Sequence, residues 1–208
     1  MSLKIVFLAA ALIAGAVPAA VSPTAAWAQA ADPAAAQIDS FDSALLSAMK
    51  QAKSLGVQGR YRDLEPVMAR TFDLPTMARF AVGPKWTTAS AADQAGVTKA
   101  FSRLAVAFFA KNFDDYSGQS FTIDPKVDTR GPDKLVRTQI ISPHDKAEDL
   151  TYRMRQAPDG RWKVIDVYYK SSISQLAVWR SDFSSALNSG GAAALIAKIN
   201  ALTEKQLR

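Results

Sequence analysis

The sequence predicts an α+β fold with an antiparallel sheet, on three observations. Apolar residues recur at helical spacing from Ile38 to Tyr116, the period changes to alternation from Phe121 to Tyr169, and helical spacing returns from Ile173. Helices, then strands, then helices again is the order of an α+β domain, in which the two element types are segregated along the chain.

Taken in order, Ile38, Phe41, Leu45, Ala48 and Met49 fall on one helical face, and Gly56 is placed to close that segment. Gly59 and Arg60 open a second stretch that runs through Leu64, Val67, Met68 and Phe72. In "FDLPTMARFAVG", Asp73 is positioned to cap a short helix, Pro75 is tolerated in its first turn, Gly83 ends it and Pro84 prevents its continuation. Ser90 with Asp93 resembles a capping box, with Asp in place of the longer Glu or Gln. The helix it opens carries Val97, Phe101, Leu104, Ala105, Phe108 and Phe109, a wide apolar face that marks it as the central helix. Alternation then runs through Phe121 to Val127, Leu135 to Ile141, Leu150 to Met154 and Trp162 to Tyr169, joined by the turn-rich "SPHDKAED" and "APDG". About four strands are expected. Val164, Ile165, Val167, Tyr168 and Tyr169 put apolar bulk on both faces of the last strand, so either helices cover both faces or one face curves around a cavity.

Lys4, the apolar run from Ile5 to Val17 and the small residues ending in Ala26-Trp27-Ala28 predict a secretory signal peptide over residues 1–28. The run is shorter than the roughly 18 to 20 residues that cross a bilayer. Residues 29–36, rich in Ala with Pro33, read as a flexible leader, and residues 37–208 as one domain. The implied compartment is the periplasm, yet the chain has 0 Cys, so apolar burial rather than disulfides must hold the domain. Removing Lys4 leaves 24 basic residues against 19 acidic ones, a formal charge of +5. Such an excess suits anionic membrane surfaces or an acidic protein. Nucleic acid is not expected as a partner, because Arg and Lys are scattered and form no run with interleaved aromatics.

The inventory of reacting groups is poor. The single His, His144, lies in a polar turn, and with no Cys neither a zinc site nor thiol catalysis is supported. No cofactor is expected, as there is no phosphate loop or dinucleotide fingerprint. Asp166 interrupts an apolar strand, where isomerase-type acid chemistry is conceivable on a small NTF2-like enzyme. A structural ion pair with Arg153 or Arg180 is the expected fate. Lys170 and Ser171, as strand neighbours, point to opposite faces, and no oxyanion turn follows, so Ser172 or Ser174 is read as the N-cap of the next helix. Binding without turnover is the expected activity.

"FDLPTMARFAVGPKW", the long apolar helix, and "RWKVIDVYYKSSISQLAVWRSDFSSALNSGGAAALIAKI" resemble the MlaC or toluene-tolerance family of periplasmic lipid-binding proteins, over about Ile38 to Leu202. Trp162, Lys163, Val164, Asp166, Val167, Ser174, Arg180, Ser181 and Phe183 match the family's pattern, whereas Lys170 and Ser171-Ser172 replace its Glu-Gly pair. "DLPTMARFAVGPKW", "GPDKLVRTQI" and "ISQLAVWRSDF" look more like the hopanoid-biosynthesis-associated HpnM branch. The resemblance implies a curved sheet wrapped by helices around an apolar cavity. It also implies a monomeric shuttle carrying a hopanoid-type lipid, or alternatively a phospholipid, between membrane-associated transport complexes. Candidate wall residues are Phe80, Trp86, Phe101, Leu104, Phe108, Tyr152, Met154, Ile165, Val167, Tyr169, Ile173, Leu176 and Trp179. Core packing would give each of them the same spacing.

Overall fold

A computed structural model describes residues 32–208 apart from Ser171. The expected signal peptide and leader residues 29–31 lie outside the described residues. Helix α1 (Pro33–Lys50) starts earlier than its apolar period indicates, because Asp32 caps it, its Oδ1 accepting from the Ala34 amide at 2.8 Å. Pro33 sits in the first turn, where its missing N–H costs nothing. Residues 33–36 are therefore helix rather than leader, and Ala34 is fully buried. In α2 (Ala52–Thr71) Gly56 kinks the helix instead of ending it, with φ 58° and ψ −179°, and helix resumes immediately. Asp73 caps α3 (Leu74–Val82) by accepting from the Thr76 amide at 3.1 Å, and Gly83 at φ 73° turns the chain into a short 3-10 segment. At the start of α4 (Ala91–Asn112) Ser90 Oγ accepts from the Asp93 amide at 3.1 Å and donates to Asp93 Oδ2 at 2.7 Å. Asp93 reaches the cap hydroxyl and not the cap amide, as its shorter side chain requires.

The described residues contain six strands, β1 (Ser120–Ile123), β2 (Asp128–Arg130), β3 (Asp133–Ile141), β4 (Glu148–Gln156), β5 (Trp162–Tyr169) and β6 (Ile173–Ser174). They form one curved antiparallel sheet of order β1-β3-β4-β5-β6, with β2 also pairing with β3. The two strands beyond the expected four are β2 and β6, of 3 and 2 residues, too short to show a period. A register shift between Arg153 and Met154 sets Arg153 opposite Asp166 and Met154 opposite Val164. On the inner face Val136, Tyr152, Met154 and Val164 are fully buried beneath the helices. The outer face carries Asp133, bonded to both Arg153 and Arg155, and a pair between Arg137 and Asp128. Both alternatives for β5 hold in part: its inner face curves around a cavity, and its outer face is covered by parts of α3 and α5.

Helix α5 (Gln175–Gln206) begins at Ser174, whose Oγ accepts from the Ala177 amide at 3.0 Å, and it bends at Gly190 and Gly191. Two aromatic clusters fill the core. Phe41 meets Phe72, Phe109 and Tyr152 edge-on, at 5.0, 5.4 and 6.0 Å between centroids. Phe101 meets Trp179 and Phe183 edge-on at 5.0 and 6.5 Å, tying α4 to α5. Edge-to-face contacts of this kind add to the burial of the rings.

Candidate binding cavity

Where the end of α4 and the start of α5 diverge over the inner face of β4 and β5, a cavity of about 410 Å³ remains. Helix α4 contributes Ala105, Phe108 and Phe109, and Phe113 follows its C-terminus. Leu150, Val167 and Tyr169 come from the sheet, Phe72 from the C-cap of α2, Met77 from α3, and Ile173 and Trp179 from the β6–α5 corner. Alternation explains the sheet contribution, since Leu150 and Tyr169 are cross-strand partners, as are Tyr152 and Val167. The polar members are few: Asn112, Glu148 and Gln175. This is the composition of a site that takes an apolar ligand with one polar end.

Glu148 marks that end. Its hydrogen bond to Tyr169 pushes the phenol above its ordinary range, aided by burial and by the carboxylate's charge. Asn112, Phe113, Ile140 and Glu148 also border a second, more polar hollow of about 590 Å³, together with Asp114, Asp115, Asp145 and Lys170. The cavity thus opens beside a charged antechamber. Lys170 holds a left-handed backbone at φ 50°, and its ammonium lies 5.2 Å from the centre of the Tyr169 ring.

Of the candidate wall residues, Phe108, Val167, Tyr169, Ile173 and Trp179 line this cavity. Phe80, Ile165 and Leu176 instead face a hollow of about 640 Å³ on the other side of β5. Trp86 borders a further hollow, between the 3-10 segment and α5. Phe101, Leu104, Tyr152 and Met154 are fully buried core residues. The helical stripe on α4 is continuous, but α5 lies over its middle and leaves only its last turns facing the space. Phe72, Met77, Ala105, Phe109, Phe113, Ile140, Leu150 and Gln175 were not among the candidates. Leu150 could have been found, since it stands two residues from Tyr152 on the same strand face.

Asp166 does not form the expected ion pair. Arg153 Nη2 pairs with Asp133 at 2.5 Å, and the Arg180 guanidinium donates to the Phe80 carbonyl, through Nε at 2.9 Å and also through Nη2. Asp166 Oδ2 accepts from Ser174 Oγ at 2.6 Å, and Oδ1 accepts from the Val167 and Leu176 amides at 2.8 and 3.2 Å. Burial raises its pKa, an effect opposed by these hydrogen bonds and by the charge of Arg153. Ser174 and Leu176 are thereby pinned onto β5, so the residue acts as a clamp between β5 and the start of α5 on the side away from the cavity.

The family model described as MlaC protein matches residues 39–201. No curated protein matches the chain. Seven solved chains match in structure. One is a phospholipid-binding protein from Ralstonia solanacearum, solved in complex with a phospholipid. It superposes with a TM-score of 0.72 at 18% identity, over 84% of this chain and 99% of its own. At that identity the likeness is one of fold, and it extends over almost the whole of the relative. With a family match that runs from α1 into the last turns of α5, the chain belongs to the MlaC family.

Proposed function

We propose that this chain is a periplasmic lipid carrier that holds its cargo in the cavity between α4, α5 and the inner face of the sheet, without turnover. The observation that carries the reading is the cavity's wall, aromatic and aliphatic apart from Asn112, Glu148 and Gln175, with Asn112 and Glu148 on the side of the charged antechamber. Hydrocarbon leaving a membrane loses roughly 0.8 kcal/mol per methylene, so a cargo with about 15 of them loses about 12 kcal/mol unless a protein rehouses it. A wall of this kind supplies that shelter. Export through the signal peptide, with cleavage after Ala28, would place the carrier between the two membranes, where it would exchange cargo with membrane-associated complexes.

For cargo, the reading favours a hopanoid-type lipid, on the motifs shared with the HpnM branch and on entropy. A rigid ring system gives up little freedom when it enters a preformed slot. A phospholipid is the second reading, favoured by the phospholipid in the Ralstonia solanacearum relative. Native mass spectrometry of the protein purified from its own host, followed by lipid extraction, separates the two. A triterpenoid is expected. A phospholipid alone would favour the second reading, and no lipid, with no uptake of either class in vitro, would end both.

A further inference from the structure

The hollow of about 640 Å³ on the outer side of β5 differs from the apolar cavity in carrying two guanidinium groups in its walls. Arg153 and Arg180 stand in its walls with the hydroxyl groups of Tyr168 and Ser181, and Phe80 closes one side. Behind Phe80 two further guanidinium groups approach its ring, Arg79 at 5.2 Å and Arg155 at 6.0 Å from the centroid. Two arginines thus stand in the wall of the hollow, and two more stack on the Phe80 ring that closes it. Asp133 is shared between Arg153 and Arg155. Asp166, the only carboxylate lining the hollow among the described residues, has both oxygens occupied by three donors and is pushed toward its neutral form by burial.

Part of this gathering has a structural explanation. Arg180 ties α5 to α3 through the Phe80 carbonyl, and Arg79 and Arg155 stack on a ring. That explanation does not account for the hollow, nor for a charge balance in which guanidinium groups outnumber carboxylates. Collected positive charge beside hydroxyl donors is the arrangement that recognises a polyoxyanion, and guanidinium forks match phosphate oxygens better than any other side chain does. We propose that this hollow is a second binding site, for a phosphate group, separated from the apolar cavity by β5 and the first turn of α5. The site does not depend on the cargo of the apolar cavity.

The test is an amide NMR titration of the mature protein with sodium phosphate at constant ionic strength, with sodium chloride as control. Saturable shifts confined to residues of α3, β5 and the first turns of α5 are expected, and chloride should not reproduce them. Ser181→Asp sets a negative charge at an exposed position in the rim without touching a core contact, and should weaken phosphate binding about tenfold. Arg180→Lys keeps the charge but loses the fork, and should weaken it by a smaller factor. Sedimentation with phosphatidylglycerol vesicles, against phosphatidylcholine vesicles, assigns the source. Pelleting that free phosphate competes away means a lipid headgroup, whereas saturable phosphate binding without pelleting means a soluble phosphate. Non-saturating shifts that chloride reproduces, or an affinity unchanged in Ser181→Asp, would overturn the proposal. So would an Asp- and Glu-rich peptide that binds there when phosphate does not.

Discussion

Asp42 shows how far a single side chain departs from what composition reveals. It lies on the buried face of α1, 3% exposed, and its Oδ1 accepts from the Tyr152 hydroxyl at 3.3 Å, while Oδ2 has no partner. Burial is the main cause that lifts its pKa from 3.8 to about 7, against the Tyr152 hydrogen bond and with help from Asp39. Between those two values the unfolded chain has released a proton that the native state keeps. Its contribution to stability therefore falls as pH rises from about 4 to about 7, by roughly 4 kcal/mol in all. Asn at this position can accept the same hydrogen bond and never ionises. Asp42→Asn should gain stability relative to the parent across that window, read by urea denaturation at a series of pH values. A difference between the two proteins that does not change with pH would refute it. The sequence places Asp42 beside Phe41 in an apolar stripe, and nothing in that stripe says whether a carboxyl at its edge meets water or the sheet. Asp166 was legible as a buried acid for the opposite reason, because a strand fixes which face each residue takes. Apart from the adjacent Val167 amide, its partners were not legible, since Ser174 and Leu176 come from β6 and the first turn of α5, which meet it only through the corner of the chain.

At the scale of elements, caps and periods carried most of the information. Asp73 and Ser90 cap the helices that their positions predict, Ser174 rather than Ser172 caps the last, and the strands from Leu135, Leu150 and Trp162 all form. What local pattern misses is the response of the chain to a glycine. Gly56 and Gly83 both hold positive φ, but one kinks a helix that goes on and the other ends a helix outright. The next residues along the chain make the difference, because Pro84 directly after Gly83 prevents the helix from continuing, whereas no proline follows Gly56 until Pro66. At Gly56 a Cβ would meet nothing within 4 Å, so a substitution there probes the backbone alone. With φ 58° and ψ −179° the residue occupies a region that is nearly reserved for glycine. Gly56→Ala should cost about 1 to 3 kcal/mol. Chemical denaturation measures it, and an unchanged midpoint would mean that the kink relaxes without penalty.

For the whole molecule, the separation of wall from core is the property that sequence spacing could not give. Phe101 and Phe108 lie on the same stripe of α4, yet Phe101 is fully buried against Trp179 and Phe183 while Phe108 faces the cavity. The distinction arises from where α5 lies along α4, and α5 is held by the Asp166 clamp at one end and bends at Gly190 and Gly191 further along. Two substitutions separate the roles. Phe101→Ala removes a ring that packs on all sides and should cost about 3 to 5 kcal/mol, while the apolar cavity keeps its wall. Ala105→Phe instead adds bulk at the edge of the 410 Å³ space, which takes up part of it, so the cost to stability should be smaller, about 1 to 3 kcal/mol. Lipid loading should respond in the reverse order. It should fall at least about tenfold in Ala105→Phe and stay near that of the parent in folded Phe101→Ala, as followed by native mass spectrometry at a temperature where both are native. Equal loading of the parent and Ala105→Phe would show that cargo does not occupy this cavity. Equal stability of the parent and Phe101→Ala would show that the ring is not part of the core that holds α5 in place.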